Sequence, residues 1–269
     1  MTLSFGSLFS GIGGIDLGFE RAGMQCLWQS EIDPYCNQIL AAHWPDVSNF
    51  GDIREIGKHN LPDIDLLCGG FPCQPYSVAG KRKGKADERN MWPEVYRLIY
   101  ELKPKWFVGE NVPGLLTFTY FKKICNDLES AGYEVISLEF PAAAIGAPHL
   151  RYRVFIVAYS DKSGLEGRIS KSLQKCSGQR VTWASNTPMA DTDSNNQLRR
   201  CSNVQMGRSR KQSQVKKANN TGTTQWVIEP NVGRVANGIP ARVDRLRALG
   251  NAVVPQVSEW IGRIIVNAQ

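Results

Sequence analysis

The chain has 269 residues, a hydrophobic content of 42% and a formal net charge of +7. This length fits one large domain, or one large and one small domain, with an ordinary hydrophobic core. No apolar run approaches the roughly 18 residues of a membrane-spanning helix, and the N-terminus has no signal-peptide pattern, so we expect a protein without a membrane segment.

The cysteines and histidines indicate neither a disulfide framework nor a metal site. Seven cysteines include no C-x-x-C pair, and the three histidines have no zinc-ligand spacing. An odd number of cysteines without a framework indicates reduced thiols. We therefore expect a cytoplasmic protein that binds no metal.

The basic charge is confined to one segment. Residues 161–248 carry a net charge of +10, whereas the rest of the chain carries −3. Such a concentration of Lys and Arg favours a partner with a phosphate backbone, and a merely soluble basic surface is the alternative.

The first 160 residues alternate short apolar strands with helical patterns, which predicts an α/β protein with a doubly wound, mostly parallel sheet. The final helix is expected to return and pack beside the first strand–helix unit. The predicted strands are Thr2–Leu8, Gln25–Ser30, Ile64–Cys68, Trp106–Gly109, Glu134–Phe140 and Arg153–Ala158. The predicted helices are Ile15–Ala22, Pro34–His43, Pro93–Leu102, Tyr120–Ala131 and Val253–Val266.

A glycine-rich turn, Phe9–Gly14, follows the first strand and opens the first helix. Glycines let a ligand approach the backbone, and the helix N-terminus offers free N–H groups, although a simple tight turn is the alternative. Glu31 ends the second strand, where an acid can hold ribose hydroxyls. Asp52 follows a third candidate strand and could accept from an adenine amino group. Together these features predict a nucleoside-containing cofactor, and the lack of a P-loop lysine argues against ATP hydrolysis.

The loop Gly69–Ser77 contains Cys73 between two prolines, directly after an apolar strand. Two glycines and two prolines predict a rigid, tightly turned loop. Such a frame suits a thiol that is presented to a substrate as a nucleophile. Cys68, on the apolar strand itself, is interpreted as a core residue.

Two further polar motifs stand at strand ends. Glu110 follows the strand Trp106–Gly109, where burial would raise its pKa and let it donate to a ring nitrogen, unless it is a solvated loop acid. Arg151 and Arg153 are two residues apart at a strand entry, which predicts that both face the same side. Such a pair can grip a carboxylate, a phosphate or a base carbonyl, with a surface edge strand as the alternative. Near the C-terminus, residues 250–255 read as a tight turn.

In this order, the motifs F-S-G-x-G-G, the acid after the second strand, P-C-Q, E-N-V, R-x-R and G-N-x-V-x-P resemble the DNA (cytosine-5)-methyltransferase family, in a compact Dcm-like form of phage or prophage type. The match covers residues 3–158 and 244–260. The resemblance implies a Rossmann-like, S-adenosylmethionine-dependent catalytic domain formed by residues 1–159 and 244–269. It also implies a small target-recognition domain at residues 160–243, whose shortness leaves open which bases it reads.

The resemblance also implies roles for individual residues. Cys73 is the expected nucleophile for cytosine C6, and Glu110 the contact to N3 and the exocyclic amine. Of Arg151 and Arg153, one is expected to contact the base carbonyl and the other to support the site. The expected S-adenosylmethionine contacts are Phe9, Ser10, Gly11, Gly13, Glu31, Ile32, Asp52, Ile53, Gly70, Pro72, Met91, Asn251 and Ala252. The expected DNA contacts are Gln74, Ser77, Asn111, Arg199, Arg200, Arg208 and Arg210.

The expected activity is methyl transfer to C5 of cytosine in a specific double-stranded DNA sequence, by base flipping and a covalent Cys73–C6 intermediate. A tRNA cytosine-5 methyltransferase on the same scaffold is one alternative. A catalytically silent nucleic-acid-binding regulator is another, although the intact set of Cys73, Glu110, Arg151 and Arg153 argues against it. We expect a monomer, with a cognate restriction endonuclease as a candidate partner.

Overall fold

The computed structural model describes residues 2–72, 90–117, 119–147, 149–160, 167, 202–205 and 242–268. Its described strands form one eight-stranded sheet in the order β3-β2-β1-β4-β5-β7-β6-β8. Strand β7 is antiparallel to both of its neighbours, and every other pair is parallel. The strands are β1 Ser4–Leu8, β2 Gln25–Ser30, β3 Ser48–Asn49, β4 Leu66–Gly69, β5 Trp106–Asn111, β6 Glu134–Pro141, β7 Tyr152–Tyr159 and β8 Ser202–Gln205.

Six α-helices lie within the described ranges. They are α1 Gly14–Arg21, α2 Pro34–His43, α3 Trp92–Leu102, α4 Thr119–Ser130, α5 Arg242–Asn251 and α6 Pro255–Asn267. Short 3₁₀ helices occupy Ile53–Glu55, Pro113–Thr117 and Ala142–Ile145. In this part of the chain, no helix combines the length and the apolar composition that a bilayer crossing requires.

The sheet has a hydrophobic core on each face, because successive strand residues point to opposite sides. On one face, Phe5 and Val108 pack with residues of α1 and α6. On the other face, Leu67 and Phe107 pack with residues of α3 and α4. Helices cover both faces of a mostly parallel sheet, so the predicted doubly wound α/β fold is confirmed.

The last helix packs against the first, as predicted. A side chain on Gly18 would place its Cβ 2.0 Å from Ser258 Oγ, so the two helices approach at glycine distance. The Ser258 hydroxyl donates a hydrogen bond of 2.9 Å to the carbonyl oxygen of Gly14. The C-terminal segment is therefore anchored to the helix that follows the glycine-rich turn.

The sheet topology brings the predicted motifs to one edge. Leu8 is in register with Ser30 of β2 and with Gly69 of β4, and Gly69 is in register with Gly109 of β5. Because β7 runs in the opposite direction, its first residues lie at this same edge. In doubly wound sheets, ligands bind outside the carboxyl ends of the parallel strands. The candidate site is therefore located at this edge.

Candidate active site

Glu110 is a buried acid on β5, only 7% exposed. Nε of Arg153 lies 2.7 Å from its Oε1, and both side chains are largely shielded from solvent. Burial raises the pKa of Glu110 from its usual 4.5 to about 7, although the nearby Arg153 and Arg151 guanidinia act in the opposite direction. The carboxyl group can therefore gain or lose a proton near neutral pH, as general acid–base chemistry requires.

Arg151 and Arg153, which were predicted to face the same side, both lie near enough to Glu110 to act on its carboxyl group electrostatically. Arg151 precedes β7 and has a φ of 27°, so its backbone is not extended like that of the strand. Its Nη2 donates to the carbonyl of Gly250 at 2.7 Å and also to the carbonyl of Ala252. The two arginines thus bind different partners, although both influence Glu110.

Asn111 has a structural role that the sequence did not predict. It was expected to contact DNA, but it is 4% exposed and its Nδ2 donates to the carbonyl of Phe71 at 3.1 Å. Its Oδ1 accepts from the backbone N–H of Val112. The side chain is therefore committed to holding the loop after β4, two residues before Cys73.

Pro72, which is partly exposed, is the last described residue before Cys73. The predicted nucleophile itself and most of the predicted DNA contacts therefore lie outside the described residues. This group comprises Cys73, Gln74, Ser77, Arg199, Arg200, Arg208 and Arg210.

The glycine-rich turn has an unusual backbone, with φ of 51° at Phe9, 57° at Gly11 and 78° at Gly13. A Cβ on Gly11 would meet nothing nearer than the Phe9 carbonyl oxygen at 3.9 Å, so there is open space beside its backbone. A Cβ on Gly13 would lie 2.3 Å from the Trp44 ring. Of these two predicted cofactor residues, Gly11 adjoins space for a ligand, and Gly13 is required by protein packing.

Glu31 faces the glycine-rich turn across the edge of the sheet. Its Oε2 accepts from the Gly11 N–H at 2.8 Å, and its Oε1 accepts from the N–H groups of Ile32 and Asp33. Burial raises the pKa of Glu31, and these backbone hydrogen bonds partly offset the effect. Two carboxylate oxygens offer about four acceptor positions, so capacity remains for ligand hydroxyls.

The remaining predicted cofactor residues surround this acid. Ile32 is 66% exposed and offers an apolar surface, whereas Ile53 is 4% exposed and has its side chain in the core. Asp52 caps the short helix Ile53–Glu55 and is paired with Arg54, which lowers its pKa. Ser10 is buried, with 9% of its surface exposed. Three other predicted cofactor residues are partly buried, namely Gly70, Met91 and Ala252, whereas Asn251 is exposed.

A buried polar network beneath the turn was missed at the sequence level. Asp16 of α1 is fully buried, and it accepts from Ser7 Oγ at 2.9 Å and from Gln29 Nε2 at 2.8 Å. Ser10 Oγ lies within hydrogen-bonding distance of both Ser7 Oγ and the Ser7 carbonyl. The only signal in the sequence is an acid on the apolar face of α1, between Ile15 and Phe19. The network ties the turn to β1 and β2.

The donors and spaces at this edge fit a nucleoside-containing cofactor. Open space adjoins Gly11, an acid with spare acceptor capacity lies opposite at Glu31, and the exposed Ile32 follows it. Among the residues that the structure describes, no cluster of His, Cys, Asp and Glu is placed to hold a metal ion.

The family model described as C-5 cytosine-specific DNA methylase matches residues 3–238, and the chain belongs to this family. It is 42% identical over 167 residues to the Type II methyltransferase M.BsuFI of Bacillus subtilis, covering 61% of this chain and 41% of that protein. It is 39% identical over 168 residues to the Type II methyltransferase M.NgoFVII of Neisseria gonorrhoeae, covering 60% and 45%. The chain thus spans less than half the length of these curated relatives.

Solved structures agree on the fold. A prophage-encoded E. coli protein, described as a candidate DNA modification methyltransferase, is 32% identical with a TM-score of 0.51, covering 59% of this chain and 47% of that one. The Dnmt2 methyltransferase of S. pombe has a TM-score of 0.53 at 21% identity, covering 62% and 55%. The resemblance that the sequence motifs indicated is confirmed at the level of the family.

Proposed function

We propose that this protein transfers a methyl group from S-adenosylmethionine to C5 of cytosine within a specific DNA sequence. The observation that carries the proposal is the buried Glu110, paired with Arg153, at the end of the strand beside the loop that leads to Cys73. A carboxyl group that titrates near pH 7 beside a guanidinium suits a base whose ring nitrogen must be protonated as electrons move.

The chemistry follows from the weak nucleophilicity of cytosine C5. The Cys73 thiolate adds to C6 while Glu110 donates its proton to N3, and the electron pair of the C5–C6 double bond moves towards C5. When bound, S-adenosylmethionine supplies the electrophilic methyl group that C5 takes up. Loss of the C5 proton and elimination of the Cys73 thiolate restore the aromatic ring, and N3 returns its proton to Glu110.

Arg153 has two roles in this proposal. It holds the Glu110 carboxyl group in place through Nε, and its Nη1 donates to the Tyr152 carbonyl at 2.9 Å. The Nη donors that remain are available to the cytosine carbonyl. Neither the contact of Glu110 with N3 nor that of Arg153 with the carbonyl can form with a base stacked in the duplex. The target cytosine must therefore leave the duplex.

The cofactor is proposed to lie across the ends of β1, β2 and β4. Glu31 would hold the ribose hydroxyls, Ile32 would cover one face of the adenine, and Gly11 would allow the close approach of the ligand to the turn. Asp52 would share its carboxylate between Arg54 and the adenine amino group.

The substrate is proposed to be double-stranded DNA that is bound by a monomer. The net charge of +10 over residues 161–248 supports this, with residues 160–243 as the target-recognition domain. A cognate restriction endonuclease stays a candidate partner, and a cytoplasmic location fits the reduced cysteines. These proposals concern residues that lie mostly outside the described part of the chain.

The decisive experiment is expression in a host that lacks DNA methylation, followed by bisulfite sequencing of host DNA and RNA. New 5-methylcytosine at one DNA sequence is expected, and methylation confined to tRNA would contradict the proposal. Cys73→Ser should abolish transfer but retain S-adenosylmethionine binding. Cys68→Ala is the matched control, because Cys68 is a fully buried core residue of β4 and its loss should leave transfer intact.

A further inference from the structure

Arg151 connects two parts of the chain that are about a hundred residues apart. Its guanidinium donates to the carbonyls of Gly250 and Ala252, at the end of α5. The last carbonyls of a helix lack intrahelical partners and carry a partial negative charge. A guanidinium placed there acts as a C-terminal cap that is supplied by a distant element.

The backbone at Arg151 supports a role beyond surface packing. A φ of 27° is uncommon for a residue with a side chain, and it persists only where surrounding contacts enforce it. The Ala142 N–H fixes the preceding turn by bonding to the carbonyl of Leu150 at 2.8 Å. The guanidinium thus bonds to the C-terminal segment, while it stays near enough to Glu110 and Arg153 to interact with both electrostatically.

The C-terminal segment is held on its other side by the cofactor turn. A Cβ on Gly14 would lie 2.4 Å from the carbonyl oxygen of Val253, so these two backbones are in direct contact. Residues 250–253 therefore lie between Arg151 and the start of α1. Arg151 thus interacts electrostatically with the Glu110–Arg153 pair and hydrogen-bonds the segment that contacts the start of α1.

We propose that Arg151 is a positioning residue that fixes the Gly250–Ala252 segment as a wall of the cofactor pocket, while Arg153 alone serves the target base. This inference rests on the proposed function, since it assumes that S-adenosylmethionine binds at the turn. It gives the two arginines different roles, because Arg151 determines cofactor affinity and Arg153 determines turnover.

The test compares Arg151→Gln with Arg153→Gln. Binding of S-adenosylhomocysteine is measured by calorimetry, and methyl transfer is measured at saturating cofactor. Arg151→Gln should weaken S-adenosylhomocysteine binding by about tenfold to a hundredfold, because two charge-assisted hydrogen bonds are lost. Arg153→Gln should leave that affinity within about twofold and should reduce turnover instead.

Arg151→Lys, which can reach one carbonyl at a time, should bind with intermediate affinity. Arg151→Ala should regain cofactor affinity when millimolar guanidinium ion is added, which a merely structural loss would not allow. Arg263→Gln, which removes an exposed pair with Glu259 on α6, is the control for loss of an arginine. If Arg151→Gln does not fold, Arg151→Lys and the guanidinium rescue carry the test.

Wild-type affinity in the Arg151 variants, with turnover reduced as in Arg153→Gln, would overturn the assignment. Failure of the wild-type protein to bind S-adenosylhomocysteine would instead contradict the proposed function. The two failures are therefore distinguishable.

Discussion

Gly70 leaves the space that the carboxylate of Glu110 occupies. A Cβ on Gly70 would lie 2.9 Å from Glu110 Oε2, which is closer than side-chain packing allows. The Glu110 carboxylate is held by Arg153, so it cannot move aside without weakening the ion pair.

Gly70→Ala should therefore lower the turnover number by about tenfold or more, because displacement of a catalytic group by even 1 Å is costly. Its melting temperature should fall only slightly. Gly114→Ala is the matched control, since no atom lies within 4 Å of a Cβ at that position. Equal turnover in the two variants would show that the geometry of the Glu110 carboxylate does not limit catalysis.

The pH dependence of turnover should report Glu110. Its pKa of about 7 means that the protonated form, which is the donor to the base in the proposed mechanism, is lost as pH rises through neutrality. The wild-type rate should therefore fall on the alkaline side. Glu110→Gln should be slower by at least about a hundredfold and should lack this alkaline fall. Transfer of labelled methyl groups between pH 6 and pH 9 provides the measurement, and an unchanged alkaline limb in Glu110→Gln would assign it to another group.

The buried Asp16 should make stability depend on pH. Burial raises its pKa from the usual 3.8 to about 6, so the folded protein retains a proton that the unfolded chain releases. The stabilisation from this group is present below pH 3.8 and is lost as pH rises to about 6, by roughly 3 kcal/mol in total. The negative charge of Glu20 on the same helix raises this pKa further, whereas the hydrogen bonds from Gln29 and Ser7 lower it.

Asp16→Asn should remove this slope from the free energy of unfolding, as measured by urea titration at several pH values. Glu110→Gln should remove a separate slope between about pH 4.5 and pH 7, because its pKa is raised in the same sense. If the free energy of unfolding varied with pH in the wild-type protein as it does in both variants, neither acid would change its proton affinity on folding.

Gly11→Ala and Gly13→Ala should differ in what they damage. Both positions have positive φ, which costs a residue with a side chain about 1–2 kcal/mol. Gly13→Ala would in addition push against the Trp44 ring, so it should lower the melting temperature more. Gly11→Ala should mainly weaken S-adenosylhomocysteine binding, because its Cβ would enter the open space. The reverse pattern would place the ligand elsewhere.

DNA affinity should depend strongly on salt. The +10 charge of residues 161–248 predicts several phosphate contacts, and each released counterion contributes to the slope of log affinity against log salt. Fluorescence anisotropy on one duplex between about 50 and 200 mM salt should show a loss of at least tenfold. Salt-insensitive binding would remove the charge argument for a nucleic-acid partner.

The β–α order of the first 160 residues could be predicted because apolar periodicity and glycine-rich turns are local signals. The position of the motifs in the fold could then also be predicted, because the carboxyl ends of parallel strands lie at the same edge of the sheet. Glu110 was correctly expected to be buried with a raised pKa, because its strand is apolar on both faces.

The features that were missed depend on distant partners. Helix α5 has its large apolar residues Val243, Leu246 and Leu249 exposed. Its apolar pattern therefore does not predict which face of the helix packs against the core. Ion pairing of Arg247 with Asp33 and the capping by Arg151 hold it instead. Neither the positive φ of Arg151 nor its bonds to the carbonyls of Gly250 and Ala252 can be predicted from an R-x-R spacing.

The bond from Ser258 to Gly14 spans 244 residues of sequence. During synthesis, the helix that supports the glycine-rich turn emerges long after the turn itself. Contacts of such separation form late, because the chain must first close a very long loop. A chain that lacks α6 would therefore contain the loop of Cys73 and the turn without a finished pocket, so competence to modify a substrate should arise only once α6 has docked on α1.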